Sequence, residues 1–232
     1  MTLSAADLSA LYLSLKLGLA AASVTLLLGA PLAWWLSRGS GLFRRVVGAV
    51  ATMPIVLPPT VLGFYLLVLL GPRGFVGQAF EALGFRLLPF SFWGLVVASV
   101  ISSLPFVVQP LQNAFEALGE LPMEAAATLG AGELDAFFTA ILPQARPAFL
   151  TAAVMAFSHT IGEFGVVLMI GGNIPDVTRV LSLQIYVYVE MGSYANAHAL
   201  SAILMVSAIL STLAVQLLNP KKKRLALRAG NF

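Results

Sequence analysis

Long uncharged apolar stretches dominate the chain, and short polar segments separate them. Between Lys16 and Arg38 lie 21 residues without charge, which as a helix rise about 31 Å and cross the hydrocarbon core of a bilayer. Lys16 can reach toward headgroups, so this first span is expected at about 8–36. Further spans are expected at about 46–70, 88–114, 147–170 and 193–218, the fourth interrupted by Glu163. The apolar run from Val180 to Val189 is too short to cross and reads as a re-entrant or interfacial helix on the outer side. Residues 116–146 hold five acids and one base among Ala, Gly and Pro, too polar for lipid.

Composition agrees with this pattern. The chain is 59% hydrophobic and 10% charged, against roughly a quarter charged for a water-soluble domain. An all-α polytopic membrane protein follows, one transmembrane domain over 1–232. Asp7 stands where a secretory leader would carry basic residues, and the first apolar stretch is too long for one, so no cleaved signal is expected. The net charge of +3 is gathered at Arg38, Arg44 and Arg45 and in the tail at Lys221, Lys222, Lys223, Arg224 and Arg228, not along a nucleic-acid-binding stripe. The positive-inside rule puts both clusters and the 116–146 loop in the cytoplasm, with the N-terminus outside and the C-terminus inside. The basic tail is read as an anchor on anionic lipid. With no cysteine and two histidines, neither a metal site nor a thiol nucleophile is expected.

The loop has its own pattern. Pro122 suits a first helical turn, Glu124 sits where the helix dipole favours an acid, and Ala125, Ala126 and Ala127 are strong helix formers. Gly130 and Gly132 stop that helix. Leu134, Phe137, Phe138 and Ile141 then form one apolar stripe, which Pro143 is expected to end. Two short helices cannot bury these phenylalanines between themselves, so the stripe needs either the feet of its own spans or another protein.

Glu124-Ala125-Ala126, three residues, Gly130, then Leu142-Pro143 resembles the EAA loop of ATP-binding-cassette importer permeases. Ala140 departs from the larger aliphatic which that pattern favours. Gly162-Glu163-Phe164-Gly165, Gly172-Asn173-Ile174-Pro175 and Thr178-Arg179 look like sulfate, molybdate and tungstate permeases, and Leu57-Pro58-Pro59 with Leu70-Gly71-Pro72-Arg73-Gly74 is most similar to molybdate permeases. His159, where those usually carry arginine, and Asp176-Val177 are departures. The resemblance implies a type I, MetI-like importer fold of five transmembrane helices in a bacterial inner membrane. It implies molybdate or tungstate import by alternating access, with sulfate or another oxyanion as the alternative. It also implies Glu124, Ala125, Ala126, Gly130, Phe137, Phe138, Leu142 and Pro143 as the coupling surface for two ATPase subunits. Those subunits would carry the ATP and Mg, this chain having neither cofactor nor enzymatic activity of its own. A second copy of the chain and a periplasmic or lipid-anchored oxyanion-binding protein would complete the assembly.

Inside the spans there is little permanent positive charge for an anion, and no helix N-terminus is evident as a site. Hydroxyls such as Thr60, Ser102, Ser103 and Ser158 can line a weakly binding path, though in membranes they more often bond backbone. A carboxylate repels a dianion, so Glu163 reads as half of a structural or gating pair with His159 or Arg179 rather than as a ligand. Pro58 and Pro59 in span two, with Pro105 and Pro110 in span three, are expected to bend or break those helices, which makes both spans the choice for pore lining. A gradient-driven transporter or channel and an intramembrane enzyme are the competing classes. Neither paired inverted halves nor a nucleophile with its base is present to support them.

Overall fold

The computed structural model describes residues 3–218; the basic tail from Lys221 lies outside them. Those residues form α1 (Ala5–Ser37), α2 (Leu42–Thr52), a 3-10 turn (Met53–Ile55), α3 (Pro59–Leu70), α4 (Phe75–Ala82), α5 (Phe92–Leu118), α6 (Leu121–Thr128), α7 (Glu133–Ala136), a π-helical turn (Phe137–Ile141), α8 (Leu142–Gly162), α9 (Gly165–Gly171), α10 (Leu181–Glu190) and α11 (Tyr194–Leu218). Five segments are long and apolar enough to cross a membrane: Ala5–Ser37, Pro59–Ala82, Phe92–Leu118, Glu133–Gly162 and Tyr194–Leu218.

The buried face of α1 is rich in small residues: Ala10, Ser14, Gly18, Ala21, Ala22, Thr25, Gly29 and Ala33 lie on it close to helical spacing, with Leu13, Leu17 and Leu36 among them. Small side chains let backbones approach closely where lipid gives apolar residues no reason to leave it. A β-carbon on Gly18 would come within 2.9 Å of Phe157 in α8, and one on Gly29 within 2.8 Å of Val107 in α5. These contacts wedge α1 between α5 and α8. Ser4 starts the helix with a capping box: its Oγ accepts from Asp7 N at 3.2 Å, and its N–H donates to Asp7 Oδ2 at 2.9 Å.

Helix α5 is the central post, with Leu95, Ala98, Val107, Val108 and Leu111 fully buried. It runs unbroken through Pro105 and Pro110, so the expected break in this span is not there. The expected helix over 46–70, by contrast, is interrupted. Thr52 ends α2, Pro54 sits in the 3-10 turn, and Pro58-Pro59 opens α3, the interruption expected from these prolines; Pro59 takes the first helical turn, where its missing N–H leaves no bond unmade.

Pro143 does not end a helix. It lies in the first turn of α8, which continues from α7 through the π turn. In that turn Leu142 N–H bonds Phe137 O. The wider spacing relieves the clash that a proline ring makes with the carbonyl four residues before it.

The run expected to be too short to span forms α10, which is tied to α1 instead. Leu181 N–H donates to Ser14 Oγ at 2.7 Å, Tyr188 Oη to Asp7 Oδ1 at 2.8 Å, and Gln184 Nε2 to the same oxygen at 3.4 Å.

Candidate functional site

Two regions gather the residues that the sequence singled out. The first is the loop end of the bundle. Gly119, at φ +64°, closes α5, and Gly130, at φ +84°, turns the chain between α6 and α7, a conformation that glycine adopts without a side-chain penalty. Glu124 and Ala125 are exposed on α6, and Ala126 is half-buried.

The apolar stripe divides. Ile141 and Ala136 are buried, while Phe137 packs edge-on against Trp34 of α1 at 5.1 Å between ring centroids and lies 6.2 Å from Phe115 of α5. Leu134 and Phe138 face outward, 77% and 61% exposed, alongside Leu121 and Leu129. Leu142 and Pro143 are half-buried where α8 begins. One of the two expected fates is therefore met for part of the stripe, which is rooted in the feet of the spans, while Leu134 and Phe138 are left exposed. Trp34, which the sequence reading did not single out, is the residue on which Phe137 packs. Its position in the last turns of α1, beside Arg38, is where an interfacial aromatic is expected.

The second region lies where two spans break side by side. Helix α8 stops at Gly162, Glu163 is extended at φ −66° and ψ 135°, and α9 starts at Gly165. A β-carbon on Gly165 would fall 2.8 Å from Pro59 Cβ, and one on Gly63 would fall 2.7 Å from Met169 Cβ and 3.1 Å from Val166 Cα. Thus α3 and α9 run alongside each other in the same direction from a common level. The start of α3 is a helix N-terminus inside the apolar body, which the sequence did not reveal. Pro58, Pro59 and Thr60 there are exposed, and so is Phe164.

Around this level lies a polar cluster. The Glu163 side chain is buried, and its Oε2 accepts from Ser102 Oγ at 2.6 Å. His159 Nδ1 is 3.6 Å from the same oxygen and 2.9 Å from Ser103 Oγ, which is 3.1 Å from Thr160 Oγ1. The imidazole stacks on Phe106 with centroids 4.3 Å apart. Ser182, at the start of α10, donates to Glu163 O at 2.6 Å and so satisfies backbone freed by the break. Ser102 is ten residues from the Phe92 end of α5, about 15 Å along that helix, which puts the cluster deep in the bundle.

Of the two partners expected for Glu163, the structure gives His159. Arg179 instead donates to Asn173 Oδ1 at 2.9 Å and to Asn173 O at 3.2 Å, within the 172–179 turn. That turn folds back on itself through Thr178, whose Oγ1 donates to Gly171 O at 2.6 Å. Ser158 donates to Val154 O at 2.7 Å, the backbone use expected of a membrane hydroxyl. It lines a cleft between α8 and α11 rather than the break. Ser182 was missed because nothing local distinguishes it. Among the described residues no group of three or more His, Asp or Glu is placed to hold a metal ion.

Residues 25–224 match the family described as "Binding-protein-dependent transport system inner membrane component". The chain is 58% identical over 201 residues to the "Molybdenum transport system permease protein ModB" of Azotobacter vinelandii, covering 87% of this chain and 89% of that protein. It is 34% identical to the protein of the same name in Escherichia coli K12, covering 92% and 93%. It is 33% identical to the "Sulfate transport system permease protein CysT" of Salmonella typhimurium, covering 83% and 69%. A solved bacterial alginate ABC transporter, in complex with a pentasaccharide-bound periplasmic protein, is similar in fold, with TM-score 0.67, 18% identity, and 96% of this chain and 80% of that one covered. So is an amino acid ABC transporter, at TM-score 0.60 and 21% identity, with 97% and 100% covered.

Proposed function

Since the chain belongs to the family of binding-protein-dependent transport system inner membrane components, we propose that it is the translocation subunit of an ATP-driven importer of molybdate. The extent of its likeness to the Azotobacter permease supports that anion over sulfate. In this reading the chain spans the bacterial inner membrane with its loop end in the cytoplasm and works as a homodimer. It receives the anion from a binding protein outside.

The observation that carries the mechanism is the divided stripe. Leu134 and Phe138 stand free while Phe137 is keyed into Trp34 and Phe115. The free half, with Glu124, Ala125, Ala126 and Gly130, is the face on which an ATPase subunit docks. Two such subunits, binding ATP and Mg, close and displace the loop. The keyed half passes the displacement to α1 and α5 as rigid-body motion, the kind of switch that interconverts inward-open and outward-open states. Leu142 and Pro143 carry the same motion into α8 without a hinge.

The paired break is the gate. An anion at its level meets the start of α3, where Pro58 and Pro59 carry no N–H, Val61 N–H is spent on Pro58 O and Thr60 offers its N–H and hydroxyl. The Glu163 carboxyl is engaged by Ser102 and lies against His159, which keeps it from confronting the anion. Ser103 holds His159 in place. Ser158 and Arg179 contribute through neighbouring helices and the outer turn. The test is uptake of labelled molybdate, tungstate and sulfate by vesicles that hold this chain with its ATPase and binding protein. ATP-dependent molybdate entry is expected. Entry without ATP, or equal entry of sulfate, would overturn the reading.

A further inference from the structure

We infer that the cavity between α1 and the loop end of α8 is a binding site for one phospholipid with a phosphoethanolamine headgroup, its phosphate on Arg38 and its ammonium on Glu133. The cavity measures about 610 Å³ and is walled chiefly by Leu26, Leu27, Ala30, Trp34, Phe138 and Phe149. Its charged lining residues are Arg38 and Glu133, which make no ion pair with each other among the described residues. From Ser23 to Arg38, both in its lining, α1 rises about 22 Å, so the cavity runs the depth of one bilayer leaflet, about 15 Å.

An apolar slot of leaflet depth, with charge only at the interfacial end, matches an acyl chain below a headgroup. The headgroup is chosen by complementarity. A guanidinium fork matches a phosphate, and an ammonium supplies the N–H donors that a carboxylate accepts. A choline has no N–H to offer Glu133, and a phosphoglycerol offers that carboxylate no cation. Arg38 is held for this role by stacking on Trp34, with its guanidinium carbon 4.9 Å from the ring centroid, and Arg44 stacks on Trp35 next to it at 5.1 Å. The lipid tail then lies against Leu26, Leu27 and Ala30 of α1 and Phe149 of α8, bracing one helix against the other.

The test takes the full chain with its ATPase partner into nanodiscs of equal phosphatidylethanolamine, phosphatidylcholine and phosphatidylglycerol. The lipid retained per chain after detergent extraction and washing is then counted by mass spectrometry. Stoichiometric phosphatidylethanolamine is expected. Glu133→Gln, at an exposed position, lowers its retention about tenfold, the worth of one charge-assisted hydrogen bond, and leaves the other two lipids unchanged. Ala30→Trp fills the slot and removes the lipid while the assembly stays the same size. Equal retention of the three lipids, or an unaffected Glu133→Gln protein, overturns the inference. So does a change of oligomeric state in Ala30→Trp with no lipid lost, which would give the slot to a second copy of the chain.

Discussion

Gly165 and Pro59 touch so closely that a single added methyl at Gly165 would sit 2.8 Å from the proline β-carbon and 3.3 Å from Thr60 N. Two helix starts are pressed together at this point, one from each interrupted span, and neither neighbour is the flexible end of a side chain. Gly165→Ala therefore has to push α3 away from α9. Overpacking of this kind costs about 1–3 kcal/mol. The expected outcome is a lower unfolding temperature in detergent together with reduced uptake. An alanine protein with wild-type stability and transport would show that the contact is dispensable.

The hydrogen bond from Ser102 to Glu163 joins the centre of α5 to the end of α8. Ser102→Ala leaves one buried carboxyl oxygen short of a partner, at a cost of about 1–3 kcal/mol. Ser102→Thr keeps the hydroxyl and restores the bond. Uptake and thermal stability should both fall in the alanine protein and recover in the threonine one. Ser182→Ala, which removes only the bond to the Glu163 carbonyl, is expected to cost about 1 kcal/mol.

At the opposite end from the loop, Asp7 serves three masters: the cap of α1, Tyr188 and Gln184. Asp7→Ala is expected to destabilise by about 1–2 kcal/mol as a lost cap and to release α10. Tyr188→Phe removes the bond to Asp7 and the longer 3.4 Å contact with Ser4 Oγ but keeps the Ser4–Asp7 capping pair. Hydrogen exchange across 181–190 should quicken in both proteins, and across the first turn of α1 only in the alanine one.

These residues also show what was legible beforehand. Charge-free stretches located the long helices because lipid admits few ionised groups, and the ten apolar residues before Glu190 gave α10 because length alone forbids a crossing. Proline was a mixed guide to breaks: Pro58 and Pro59 interrupt span two as expected, but other prolines do not. Pro105 and Pro110 sit in an unbroken α5 and Pro143 in a continuous α8, whereas the break at Glu163 and Phe164 contains no proline at all. Ser182 and Ser102 hold that break, and they come from elements 19 and 61 residues away in sequence. No local pattern carries information of that kind.

Phe137 and Phe138 are adjacent in sequence yet belong to different interfaces. Phe137 meets Trp34 and Phe115, while Phe138 is 61% exposed on the rim of the slot beside α1. The rooted ring should matter to the fold and the free one to the partner. Phe137→Ala, which empties part of a half-buried aromatic cluster, is expected to destabilise by about 2–3 kcal/mol, so the unfolding temperature falls whether or not an ATPase is bound. Phe138→Ala should leave the unfolding temperature of the isolated chain unchanged but weaken co-purification of the ATPase and uncouple its hydrolysis from uptake. Leu134→Ala, 77% exposed on the same wall, should follow Phe138. If Phe138→Ala unfolds the isolated chain as readily as Phe137→Ala, the stripe is a single structural unit and the division of labour is lost. If instead Phe138→Ala binds and drives its ATPase normally, the docking face lies elsewhere on the loop, at Leu121 and Leu129 of the α6 end.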